Sequence, residues 1–132
     1  MRKIEYQMLG AVRKALNNPD FCGRVWKDSN TVVYSNHYGV VGEPGYCHTI
    51  EVILHDTVIG LFEVQIGRLS LYTGGWHTRT TTSRLQAILD GFAPAWFVNL
   101  RKGQTYITKR TWSDGETELM AEGRELSFIG HS

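Results

Sequence analysis

Near the start of the chain apolar residues recur every four positions, at Ile4, Met8, Val12 and Leu16, with Leu9 widening the stripe. This spacing predicts an amphipathic helix over residues 3–17. Asn17-Asn18-Pro19-Asp20 ends it, because a residue before proline is pushed out of the helical region. From Arg24 to Tyr34 the pattern turns β-rich, with Asp28-Ser29-Asn30 as a turn. Residues 35–47 hold Gly39, Gly42, Pro44 and Gly45 and predict a long loop that Tyr38 and Tyr46 pin down. Alternation then predicts three strands joined by short connectors, Thr49–His55, Val58–Val64 and Arg68–Tyr72, an antiparallel meander.

Beyond Gly74-Gly75 the period changes back. Leu85, Ile88, Leu89 and Phe92 sit at helical spacing, Thr80-Thr81-Thr82-Ser83 offers N-caps, and Gly91 and Pro94 supply the stop. Ala95–Leu100 and Thr105–Lys109 read as a hairpin with Arg101-Lys102-Gly103-Gln104 at its tip. A last pair of extended segments, Thr117–Ala121 and Glu125–Ile129, flanks Gly123. The sum is an α+β fold: an antiparallel sheet of about six strands, an N-terminal helix and a second helix near 82–92. Neither a linker nor a repeat divides the 132 residues, so a single domain over 1–132 is expected.

Composition narrows the class. The chain is 42% hydrophobic and 20% charged, a globular profile. Its apolar runs are too short for a membrane span, and no signal-peptide pattern opens it, so a cytoplasmic protein is expected. Cys22 and Cys47 lack Cys-x-x-Cys spacing; with His37 and His48 they make a poor zinc set, and no metal or other cofactor is expected. There is no nucleophile elbow, phosphate-binding Gly-x-x-x-x-Gly-Lys loop or zinc-hydrolase spacing, which argues against an enzyme.

Charge adds more. The formal net charge of +1 conceals +6 over residues 68–110 and −4 over 111–132. Segregation of this kind suits an anionic partner. Two clusters carry the chemistry. In the first, Gly74-Gly75-Trp76-His77 leads into Thr78, Arg79, Thr80, Thr81, Thr82, Ser83 and Arg84: hydroxyls, arginines and a helix start that favour phosphate, beside a ring able to stack on a base. The second runs from Arg101 to Trp112. On a strand its Tyr106, Thr108 and Arg110 share one face, and Ile107, Lys109 and Thr111 share the other. Cations interleaved with aromatics are what a single-strand groove needs.

The stretch from Gly74 to Leu89, with His55-Asp56-Thr57-Val58-Ile59 upstream, resembles small bacteriophage proteins that carry Gly-Gly-Trp-x-Thr followed by Thr-Thr-x-Ser-Arg-Leu. It covers about residues 49–110 and marks a family rather than a function. The sequence departs from the pattern at Thr82, where lysine is expected, and at Gln86, where asparagine is expected. The resemblance implies a phage protein in the cytoplasm of an infected bacterial host. Within that setting the expected function is non-sequence-specific binding of single-stranded DNA, in the manner of a cofactor that assists a phage RNA polymerase at melted promoters. Trp76, Arg79, Arg84, Arg101, Lys102, Tyr106, Lys109, Arg110 and Trp112 are the expected contacts, on a homo-oligomer. The acidic segment 113–132 would bind a protein partner or compete for the groove. The alternative is a phage protein that binds and modulates a host or phage protein without touching nucleic acid, using the same Trp, Tyr and Arg side chains as anchors.

Overall fold

In a computed structural model, which describes residues 1–113 and 116–129, the chain forms two helices and two antiparallel sheets. Helix α1 is Lys3–Leu16 and α2 is Arg79–Phe92. Strands β1 (Gly23–Asp28), β2 (Thr31–Tyr38), β3 (Cys47–Leu54), β4 (Thr57–Glu63), β5 (Arg68–Leu71) and β9 (Arg124–Ser127) form one sheet in that order. Strands β6 (Trp96–Arg101), β7 (Gln104–Lys109) and β8 (Glu118–Leu119) form the other. The α+β expectation, with its N-terminal helix and six-stranded antiparallel sheet, is what the chain adopts.

Alternation builds the core. Val33, Ile50, Val52, Leu54, Ile59, Phe62, Leu69 and Leu71 are buried on one face of the larger sheet, against Met8, Leu9 and Val12 of α1 and Leu85, Ile88, Leu89 and Phe92 of α2. Each such side chain contributes about 1.5–3 kcal/mol when fully buried. Phe62, Phe92 and Phe128 meet edge to face, with centroids 5.0, 5.1 and 6.5 Å apart. Gly60 lets α2 lie close on β4: a Cβ there would stand 3.1 Å from Ile88 Cδ1.

Three details differ from the sequence reading. Helix α2 begins at Arg79 because Thr78, rather than Thr80–Ser83, is the cap: its Oγ1 accepts from Thr81 N–H at 3.2 Å. The loop shrinks to 39–46, since β2 runs on through Tyr38 and β3 starts at Cys47; Tyr46 Oη pins it, 2.5 Å from His37 Nδ1. The two segments around Gly123 do not pair. β8 joins β7 in the smaller sheet, whereas β9 joins β5 in the larger. Asp114 and residues 130–132 of the acidic segment lie outside the described residues.

The smaller sheet packs on α2 through Val98 and Ile107, both buried. Its β6 edge is covered by a side chain: Gln86 Oε1 accepts from Val98 N–H at 2.9 Å, and Asp90 accepts from Gln86 Nε2 at 2.8 Å. The residue where asparagine was expected thus reaches across to the neighbouring strand. That packing leaves the opposite face of the hairpin outward.

Candidate functional site

Lys102 and Gly103 have φ of 49° and 74°, as a two-residue hairpin turn with both central residues left-handed requires. That turn fixes the register of β6 and β7, pairing Arg101 with Gln104, Asn99 with Tyr106 and Phe97 with Thr108. With a period of two, Val98 and Ile107 go inward and Phe97, Asn99, Arg101, Tyr106 and Thr108 go outward. The segment after β7 adds Arg110, Trp112 and Thr117, closing a groove of about 490 Å³.

The rings carry cations. The Arg110 guanidinium stands 5.2 Å from the Phe97 ring centroid, and that of Arg101 stands 6.0 Å from Tyr106. Arg110 Nε also donates to Pro94 O at 2.8 Å, which holds the group in place. Trp112 packs edge-on to Trp96 at 5.3 Å, and Lys109 Nζ lies 5.6 Å from the Trp96 ring. Arg101 and Lys102 are exposed and make no ion pair among the described residues. Among the described residues Asp90 is the one acid within ion-pair distance of these cations, 4.0 Å from Arg110. Arg101, Lys102, Tyr106, Lys109, Arg110 and Trp112 are therefore gathered on or around one groove.

The other expected contacts lie elsewhere. Arg84 is a correction: it is buried, its guanidinium 2.7 Å from Glu5 Oε2 and its Nε donating to Thr31 Oγ1 at 3.2 Å. A charge locked under α1 has no path to a phosphate. Arg79 is exposed on the first turn of α2, away from the groove and near Met1 and Leu100. Trp76 is 59% exposed and lines a separate, mostly apolar cleft of about 450 Å³ with Leu54, Thr57, Ile59 and Thr81. His77, its neighbour, touches β7: Nδ1 is 2.9 Å from Thr105 Oγ1.

The Gly74-Gly75 turn does hold an anion, but an internal one. The Glu122 carboxylate accepts from Thr73 N–H at 2.8 Å, from Thr73 Oγ1 at 3.0 Å and from Gly74 N–H. The other described acids of the C-terminal segment also have partners, one of them the groove-lining Ser113. Glu118 pairs with Arg124, Glu125 with Arg68, and Glu116 accepts from Ser113 Oγ. None of these acids pairs with Arg101, Lys102 or Lys109 among the described residues.

Phe97 and Asn99 were missed in the sequence. The signal was present: counting back from the Lys102-Gly103 turn puts both on the Tyr106 face. Among the described residues no group of three or more His, Cys, Asp or Glu stands ready to hold a metal. No helix there is long and apolar enough to cross a membrane.

A family model described as Kyanoviridae Gp96 protein matches residues 1–126. No curated protein matches the chain, and no solved structure does.

Proposed function

The chain belongs to the Kyanoviridae Gp96 protein family, a family of bacteriophage proteins, and from that premise we propose that it binds single-stranded nucleic acid, DNA in preference to RNA, in the groove on the outer face of the smaller sheet. One observation carries the reading: Phe97 and Tyr106 lie on adjacent strands of the outward sheet face, each with an arginine guanidinium over its ring. Rings of this kind accept an unpaired base of any type, and the guanidinium and ammonium groups around them neutralise the phosphates between bases. Duplex DNA hides its base faces and gains only the phosphate contacts. Assistance to a phage RNA polymerase at a melted promoter is the setting that the resemblance implies, and it requires this single-strand contact first.

The test is fluorescence anisotropy with a labelled single strand, its duplex and the matching RNA. The DNA single strand is expected to bind tightest. Phe97→Ala and Tyr106→Ala are each expected to weaken it by about 1–3 kcal/mol. Equal affinity for duplex and single strand, or wild-type affinity in both variants, overturns the proposal.

The protein-binding alternative has its own surface. Val32, Ile53 and Val58 stand side by side on the outer face of the larger sheet, next to exposed Tyr34. A pull-down that fails with Tyr34→Lys and succeeds with Phe97→Ala favours that reading.

A further inference from the structure

The groove's polar lining is lopsided. Arg101, Lys109 and Arg110 bring only donors. None of the lining side chains is a carboxylate, and the Asn99 amide supplies the one side-chain carbonyl oxygen among them. Thr108 and Thr117 are turned to each other, Oγ1 to Oγ1 at 2.9 Å. Asn99 makes no side-chain hydrogen bond among the described residues, although it is half-buried. It sits directly across from Tyr106 and two residues along β6 from Phe97. A base stacked on either ring brings its edge toward this amide.

We propose that Asn99 makes the groove read bases, pairing its side-chain amide with the amino-bearing edge of adenine, so that adenine-containing single strands are preferred over thymine-only ones. A side-chain amide offers one acceptor and two donors, and adenine's N6 amino group and N7 form the matching pair. An exocyclic amino group stacked here without that carbonyl would face the donor-only Arg101, Lys109 and Arg110, with hydroxyls as the remaining side-chain acceptors, and would lose its best-matched partner. Thymine has no amino group: it presents two carbonyl acceptors, which Arg101, Lys109 and Arg110 can satisfy, and a single ring N–H donor, so its binding depends less on Asn99. This inference rests on the single-strand reading and goes beyond sequence-neutral stacking.

The experiment measures the affinities of a thymine-only oligonucleotide and of the same oligonucleotide with a central adenine run, for the full chain and for Asn99→Leu and Asn99→Ala. Thermal melts confirm that both variants fold. The wild type is expected to favour the adenine-containing strand by about tenfold or more. Both variants are expected to bring that ratio close to one while leaving the thymine-only affinity nearly unchanged. Equal wild-type affinities overturn the proposal and leave single-strand binding standing. A preference that survives in both variants assigns the effect to stacking and also overturns it. If neither strand binds at low salt, single-strand binding itself has failed, and the base reading falls with it.

Discussion

Glu5 and Arg84 form an ion pair with side chains only 2% and 4% exposed, and Ser83 and the Arg2 N–H also donate to the carboxylate. Breaking such a pair leaves a buried charge alone, so Glu5→Gln is expected to cost about 3–5 kcal/mol in urea unfolding. A loss under 1 kcal/mol would contradict it. Acid acts on two buried groups in different windows. Burial and the adjacent His37 push His48 down to about 4 from an ordinary 6.5. The unfolded chain therefore takes up a proton that the folded chain refuses. The stability that neutral His48 confers is complete above pH 6.5 and falls as pH drops toward 4, by about 3 kcal/mol at most. For Glu5, burial alone would raise the carboxyl; the hydrogen bonds from Ser83 and Arg2 and the Arg84 charge outweigh it and hold the group below 4.5. Its share of stability is present above that value and is lost only as pH falls through the lower, folded one. Urea unfolding across pH should then show two steps, and His48→Gln should remove the upper step alone. An unchanged slope between pH 6.5 and 4 in that variant would sink the assignment.

Elements were legible where local chemistry decides them. The Lys102-Gly103 and His55-Asp56 turns, both left-handed, fix their hairpins within a few residues, so the β3–β4 and β6–β7 pairs could be read, although the His55-Asp56 turn lies one residue before the Asp56-Thr57 connector that the sequence suggests. The partners of β8 and β9 could not: alternation around Gly123 gives strand character but does not say which of two sheets has a free edge. Helix α1 shows the same limit. Its buried stripe includes Glu5 and leaves Ile4 half-exposed, because a cation 79 residues away in sequence claims the carboxylate. The turn before α2 gives a sharp comparison. A Cβ on Gly74 would stand 2.4 Å from Thr57 Cγ2 at φ +63°, whereas one on Gly75, at φ +86°, would meet nothing within 4 Å. Gly75→Ala is expected to lose about 1 kcal/mol from backbone strain. Gly74→Ala should lose clearly more and loosen the Glu122 contact that ties 73–74 to the C-terminal segment. Equal melting temperatures for the two variants would refute this.

At the scale of the molecule, the charge run over 68–110 separates into unlike parts. Arg68 is turned to Glu63 and Glu125, and Arg84 is buried with Glu5. Arg101, Lys102, Lys109 and Arg110 remain around the groove. Sequence charge alone could not make that division, because it depends on which acids the fold brings near. The division predicts a number. If those four groups neutralise four phosphates, log affinity for a single strand should fall with log salt at a slope of about −3, near −0.7 per contact. Had the whole run acted together, the slope would be roughly −5. Arg101→Ala and Lys102→Ala, both on the exposed tip, should each reduce the slope by about 0.7 without lowering stability. Arg68→Ala should leave it untouched, since that guanidinium is already paired. Anisotropy titrations over a series of salt concentrations measure all four proteins in one format. A slope that changes as much in Arg68→Ala as in Arg101→Ala would place the phosphates on the larger sheet instead. A flat slope in the wild type would remove nucleic acid from the account and leave the uncovered face around Tyr34, Ile53 and Val58 as the working surface.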